Sequence, residues 1–462
     1  MAGRRVLLVH YTSPSILGGV ERIMRAHAAA LHAAGDDVRI AAGRGRPSPA
    51  GVPLIRIPEL DSRHPAVLRD FAALAAGTVA PGHERLVGRI ERALRPYVAR
   101  ADRVVVHNAF TLHKNAALTE ALVRLAATAD DRSVSRSGSR SVVRSVTGSG
   151  AKFSAKFSAK FIAWTHDLAW TDEQYAAQRH AGRPWSLFST AHPGVRYVAV
   201  SEKAAGELAR LTGLARGRIA VVPNGVDPVT TLGLSPAGAR LAERLGLFTA
   251  DPLLLLPVRI TRRKRIEIAI AALAVLRRTH PRAALVVTGG PGAHNPANAA
   301  HAAELRAAAG PGVHLLHALG IHPSDRVIAD LYALADALVL PSANEGFGIP
   351  ILEAGLHRLP VVCSDIPALR AVAGADATYV APDADARTLA AAVARCLAGD
   401  PVARLHRRTR ESAWPRILAE AVLPAIWGTG LGTGRGAGLV TDRATRRIGA
   451  PQRARPVRRT PR

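Results

Sequence analysis

Short runs that are apolar at every position recur along this chain, spaced by stretches long enough for a helix. Residues 253–256 are four leucines, 337–340 read A-L-V-L, and 104–106 are three valines. A run with no polar face makes a strand only where both of its faces are covered. Alternation of such runs with helical periodicity requires crossover connections, hence a mostly parallel sheet with helices on both sides. In the first half the pattern predicts strands at 6–9, 38–42, 54–57, 104–107, 161–164, 197–200 and 219–222, and a helix at 19–34 closed by Gly35. In the second half it predicts strands at 253–256, 284–288, 313–316, 337–340, 360–363 and 378–380. Helices are expected there at 264–279, 298–309, 324–334, 349–357 and 386–398. The expected class is α/β, with two doubly wound Rossmann-like domains facing a cleft.

A chain of 462 residues holds two domains of ordinary size and leaves extra segments. Asn224-Gly225 makes a turn and 228–238 is rich in Pro, Gly and Thr, which places the boundary there. The divisions predicted are 1–227, 228–410, a last helix in 411–427, and a basic tail over 428–462. Trp414 to Trp427 is the candidate for that helix, although Pro415 and Pro424 work against it. Residues 130–160 fit neither domain. Asp130 to Gly150 is low in complexity, and the repeat A-K-F-S-A-K-F-S-A-K-F follows from Ala151 to Phe161. Neither piece buries enough apolar surface to offset the entropy of ordering it. This insert reads either as a repeat-expanded loop or as a basic–aromatic contact with an anionic membrane, through Lys152, Phe153, Lys156, Phe157, Lys160 and Phe161.

The net charge of +27 would ordinarily point to nucleic acid. Only six of the 62 basic residues are Lys, however, and Arg and Ala excess together indicate a coding bias rather than a binding code. The segment 129–160 has seven basic and two acidic residues, and 428–462 has nine Arg and one Asp. Those stretches carry +5 and +8, so +13 of the +27 lies outside the predicted domains. No specific nucleic-acid partner is expected, and an anionic membrane surface suits such clusters better. The two cysteines, Cys363 and Cys396, form no disulfide framework or zinc spacing, and Cys363 sits in an apolar run. The apolar run near Met1 suits a first strand and is too short for a signal peptide. No run of ~18 apolar residues appears, so no membrane-spanning helix is expected. The expected location is cytoplasmic, with peripheral contact at the inner membrane face left open.

The most informative string is V-L-P-S-A-N-E-G-F-G-I-P-I-L-E-A, residues 339–354. A predicted strand ends at Leu340, Pro341 and Ser342 break it, and a helix begins near Ile349 with Ile351, Leu352 and Leu356 turned inward. Gly346 and Gly348 then lie between the carboxyl end of a strand and the amino end of a helix. In open α/β sheets that is where ligands bind, and free helix amides there favour negative groups. Glu345 can reach a sugar hydroxyl beside those amides, and Glu353 can take two ribose hydroxyls. Arg259 and Lys264, in V-R-I-T-R-R-K-R, follow a strand and precede a helix, where fixed cations can stabilise a leaving diphosphate. Gly18 and Gly19, after the first strand, let backbone approach a ligand without forming a dinucleotide fingerprint. Asp383-Ala384-Asp385 is the single D-x-D triplet, and it precedes a helix, so Asp385 reads as an N-cap and no metal site is expected.

Taken together, the 339–354 string closely resembles the E-x7-E signature of GT-B glycosyltransferases of family 4. The element from Arg259 to Lys264 resembles the family's R-x4-K, with Arg265 where the family usually has Gly. Gly18-Gly19-Val20-Glu21-Arg22 resembles its phosphate and acceptor loop, His166-Asp167 its H-D at the cleft edge, and Pro223 to Asp227 its domain-junction P-N-G-V-D. The resemblance runs from about residue 4 to 398, apart from 129–160. It implies the GT-B architecture and retaining transfer of a hexose-type sugar from a nucleoside-diphosphate sugar to a hydroxyl acceptor, with no cofactor and no metal. It implies roles for His166 toward the transferred sugar, with Asp167 orienting the ring, and for Arg259 and Lys264 toward the diphosphate. Glu345 with the amides of Gly346, Phe347, Gly348 and Ile349 would hold the sugar, Glu353 the ribose, and Gly289 would lie near the nucleotide. His107-Asn108 is a further candidate, facing the acceptor. A sugar-nucleotide epimerase or hydrolase of the same fold, or a non-catalytic interaction protein, remains as an alternative. A nicotinamide dehydrogenase is disfavoured by the missing fingerprint.

Overall fold

The computed structural model describes residues 3–48, 51–136, 160–292 and 295–428. They divide into two compact units, one running to Gly225 and resuming at Ile417, the other spanning 226–416. The division falls two residues before the predicted boundary. Val226 already pairs with the far end of the second unit, donating to Ser412 O at 2.7 Å and accepting from Trp414 N at 2.9 Å.

The first unit has seven strands: β1 (Arg5–Val9), β2 (Asp37–Ala42), β3 (Leu54–Arg56), β4 (Arg103–His107), β5 (Phe161–Thr165), β6 (Val195–Ala199) and β7 (Ile219–Val221). All pairings are parallel, in the order β3-β2-β1-β4-β5-β6-β7. The second unit has β8 (Leu253–Leu256), β9 (Ala284–Val287), β10 (Val313–Leu315), β11 (Ala337–Leu340), β12 (Val361–Ser364) and β13 (Thr378–Val380). Its order is β10-β9-β8-β11-β12-β13, again parallel throughout. Every residue of β5, β8, β9, β11 and β12 is buried, which requires cover on both faces and explains their lack of alternation. The direction in which successive strands are added reverses between β1 and β4 in one sheet and between β8 and β11 in the other. At such switch points the neighbouring loops part and leave a crevice at the carboxyl edge.

Three expectations are corrected. In the helix Ile349–Leu356 only Ile351 and Ala354 are buried, while Leu352 is 49% and Leu356 87% exposed. A helix this short buries a single narrow stripe, and residues 352 and 356 fall outside it. The helix Ala116–Arg136 runs into the predicted insert, because no Gly or Pro interrupts it before Gly138. Phe161, read as part of a membrane-contacting repeat, is a fully buried residue of β5. The other aromatic and basic residues of that repeat, apart from Lys160, lie outside the described residues, as does the tail beyond Gly428.

The segment Trp414 to Trp427 is helical despite its prolines, and the device is visible. A π turn over Leu418–Val422 separates two α-helical pieces, Trp414–Ile417 and Leu423–Trp427. The wider turn puts Pro424 in the first turn of the next piece, where no amide is needed. The end of this segment is fixed to the first unit. Arg103 Nε donates to Ile426 O at 3.1 Å, Arg196 donates to Ala425 O at 2.8 Å, and the Arg4 guanidinium lies 3.8 Å over the Trp427 ring. No described helix is long and apolar enough to cross a membrane.

Candidate functional site

In the second unit the candidate residues gather around the β8/β11 switch point. Arg259 and Lys264 follow β8, Gly289 follows the adjacent β9, and Glu345 follows β11 on the other side. Glu345 is held from several directions. Ser342 Oγ donates to its Oε1 at 2.7 Å, Lys264 Nζ pairs with the same oxygen, and Arg263 lies 3.4 Å from Oε2. Backbone bonds tie the two loops: Ala343 N donates to Arg263 O at 2.7 Å, and Arg263 donates to Asn344 O at 2.9 Å. Lys264 is 9% exposed, so its charge is neutralised by Glu345 rather than by water. Arg259 differs. It is exposed and has no ion pair or side-chain hydrogen bond among the described residues. It is the cation of this loop available to an incoming anion.

The glycines divide by cause. Gly348 has φ +107°, the left-handed region, and a Cβ there would stand 2.8 Å from Leu369 Cδ2. It turns the chain into the Ile349–Leu356 helix as its N-cap, leaving the first amides without a side-chain cap. A Cβ on Gly289 would meet Val258 O at 2.4 Å, so this glycine permits close contact between the loops after β8 and β9. Gly346 has open space, and Phe347 and Ile349 are 56% and 59% exposed. Glu353 accepts from Tyr332 Oη at 2.5 Å. Burial, with Glu353 nearby, pushes the Tyr332 hydroxyl far up, so it remains a donor. Tyr332 is a residue that no sequence motif singled out. Asp385 accepts from Thr388 N at 2.8 Å and caps the helix Ala386–Gly399.

In the first unit the candidates surround the β1/β4 switch point. Gly18 precedes the helix Gly19–Ala33, whose start has no side-chain cap. Glu21 on that helix accepts from the Thr12 hydroxyl, and a Cβ on Gly18 would collide with the Glu21 carboxylate. His166 follows β5, next to β4 in the sheet. Its loop is set by Asn108, which has φ +63°. Asn108 Oδ1 accepts from His166 N at 2.8 Å and Asp167 N at 3.1 Å, and its Nδ2 donates to Asp167 Oδ2 at 2.8 Å. Asp167 was expected to orient the His166 ring. Its carboxylate is engaged by Asn108 instead, and the ring's partner is His107, whose Nδ1 lies 3.1 Å from His166 Nε2. His107, expected to face an acceptor, is fully buried. His107 thus takes the place beside the ring that was expected of Asp167: strand β4 ends by turning His107 inward and Asn108 toward the loop.

Burial, with His10 adding to it, holds the His166 imidazole down at about 3, and burial drives His107 well below the ordinary histidine range. Both rings are neutral at physiological pH.

A family profile described as "Glycosyl transferases group 1" matches residues 239–413, and one described as "Glycosyltransferase Family 4" matches 143–230. A D-inositol 3-phosphate glycosyltransferase of Kineococcus radiotolerans is 31% identical over 268 residues, 54% of this chain and 60% of its own length. An O-antigen chain mannosyltransferase B of Escherichia coli is 42% identical over 103 residues, 22% of this chain and 25% of its own. A solved glycosyltransferase from Rickettsia africae aligns over 92% of this chain and 98% of its own, with 18% identity and a TM-score of 0.32. The chain thus spans less than two thirds of the length of the curated relatives it matches. With one profile over most of the second unit and another over the end of the first, the chain belongs to the group 1, family 4 glycosyltransferases.

Proposed function

We propose that this protein transfers a hexose-type sugar from a nucleoside-diphosphate sugar to a hydroxyl acceptor, with retention and without a metal ion. The observation that carries the reading is the convergence of Lys264, Ser342 and Arg263 on Glu345 across the β8/β11 switch point, with Arg259 unpaired on the same loop. The unpaired guanidinium suits the diphosphate. Lys264, already paired, keeps Glu345 directed, so that this carboxylate can accept from sugar hydroxyls beside the amides at residues 346–349. Glu353, its Oε2 engaged by Tyr332, has Oε1 for ribose hydroxyls.

In this reading the bond from the anomeric carbon to the diphosphate breaks with its electron pair moving to the phosphate oxygen. The acceptor oxygen attacks from the same face, and its proton passes to the departing phosphate. Fixed cations and helix amides stabilise the charge that develops there. His166 would hold the transferred sugar. Asp385 caps the helix Ala386–Gly399, which supports reading the D-x-D triplet as structural. The names of the curated relatives are compatible with an inositol phosphate or an O-antigen chain as acceptor and with mannose as the sugar transferred.

The test is transfer assayed with a panel of nucleoside-diphosphate sugars, alongside thermal shifts with the free diphosphates. Glu345→Ala and Lys264→Ala each lower transfer on the order of 100-fold. Arg259→Ala abolishes the thermal shift by the diphosphate, and a chelator leaves transfer unchanged. Full activity in both Glu345→Ala and Lys264→Ala would overturn the assignment.

A further inference from the structure

Resting on the role just given to His166, we infer that His107 is a positioning residue that fixes the tautomer of His166, so that His166 presents Nδ1–H as a hydrogen-bond donor. The two rings are 21° from coplanar, with centroids 5.4 Å apart and facing nitrogens 3.1 Å apart. The rings therefore meet edge to edge, and one N–H lies between them. With both imidazoles neutral, that proton belongs either to His107 Nδ1 or to His166 Nε2.

The surroundings choose between them. His107 Nε2 is buried without a hydrogen-bond partner. If His166 donated, His107 would carry its own proton on Nε2, as a buried N–H with no acceptor. If His107 donates, Nε2 is a bare lone pair. Buried acceptors without partners are tolerated more often than buried donors without partners. Trp164 sharpens the choice. Its ring centroid is 6.0 Å from that of His107, and its indole N–H, a donor only, is also buried without a partner. One tautomer crowds two orphan donors into this core, and the other sets an orphan donor near an orphan acceptor. His10 does not compete, because its Nδ1 is engaged by the His107 carbonyl at 3.0 Å rather than by the ring.

With Nε2 accepting from His107, the His166 proton sits on Nδ1. Among the described residues Nδ1 has no partner, and His166 is half-buried, unlike His107. The nitrogen left toward the open side is thus a donor. It can bind a sugar hydroxyl oxygen or a phosphate oxygen, and it cannot act as a base.

The test is nitrogen NMR of protein labelled with 15N-histidine, recorded without donor or acceptor, with His166→Gln used to assign the His166 signals. The expected wild-type spectrum has His166 protonated at Nδ1 and bare at Nε2. A His166 protonated at Nε2 overturns the inference. In His107→Phe, which fills the ring's space without a donor, the tautomers become mixed, while His107→Asn, whose amide can donate from nearly the same place, keeps the wild-type form. An unchanged His166 in His107→Phe removes the role of His107, and His107→Leu serves the same purpose if Phe prevents folding. Transfer falls roughly tenfold in His107→Phe and recovers in His107→Asn. Because the spectrum needs no substrate, an absence of transfer activity would count against the proposed function and leave the tautomer result standing.

Discussion

At the scale of single residues, the candidate donor half-site is defined by what compensates each charge. Glu345 is surrounded by Lys264, Arg263 and Ser342, whereas Arg259 has no such partner. Glu353 depends on Tyr332, whose hydroxyl is buried beneath it. Tyr332→Phe should cost about 1.5–3 kcal/mol in chemical denaturation, since it removes a hydrogen bond to a charged group and exposes no new surface. It should also weaken nucleoside-diphosphate binding several-fold, measured by calorimetry. Gly348→Ala should cost about 1–3 kcal/mol, because an alanine at φ +107° is strained and its Cβ meets Leu369. A denaturation midpoint equal to wild type would show that the loop relaxes freely. The motif residues Glu345, Gly348 and Glu353 were recognisable in sequence because their spacing is local. Tyr332 and Asn108 were not, because their partners stand 21 and 58–59 residues away and no pattern links them.

At the scale of elements, helix ends and strand ends do most of the positioning. Asp385 caps its helix as the sequence indicates, and Asp385→Ala should cost about 1 kcal/mol, read from thermal unfolding of the second unit. The segment ending at Trp427 is fixed by guanidinium groups on its last carbonyls, at Ala425 and Ile426, with Arg4 over the indole. Arg196→Ala combined with Arg103→Ala should release this segment. The expected outcome is faster proteolysis between residues 417 and 428, with unchanged cleavage in the second unit. The two prolines obscured this helix in sequence because proline is read against a regular α-helix, and a π turn is a tertiary accommodation. The helix Ile349–Leu356 shows the converse. Its apolar residues were legible, but which of them point inward depends on the packing beneath, and Leu356 proves exposed.

At the scale of the whole molecule, titration couples the first unit's stability to pH in both directions. Burial alone would pull His83 down, but its hydrogen bonds to Asp70 and Glu120 outweigh it and lift His83 to about 9. Its folded value exceeds the unfolded one, so the stability it contributes is complete below about pH 6.5 and is lost between there and about pH 9. His27 and His166 are held at about 3, chiefly by burial, and His107 lower than its ordinary range. These groups act oppositely, since the unfolded chain binds their protons first as pH falls below about 6.5. Each costs up to ~1.4 kcal/mol per pH unit between its unfolded and folded values. Urea midpoints of the first unit should therefore peak near neutrality. His83→Gln should flatten the alkaline side alone, and an unchanged alkaline slope in that variant would dismiss the His83 pair as its source.

The sequence by itself determined the two parallel sheets, the strand positions within a residue or two, and the membership of the E-x7-E residues in one loop and helix. Those properties follow from local patterning: an all-apolar run must be covered on both faces, and a glycine-rich break must follow it. Tertiary structure alone decided which charges neutralise one another, which ring lies against His166, and that His107 turns inward while Asn108 holds the loop. Such pairings join residues from separate strands at a sheet switch point, and distance along the chain carries no information about them until the strands are placed side by side.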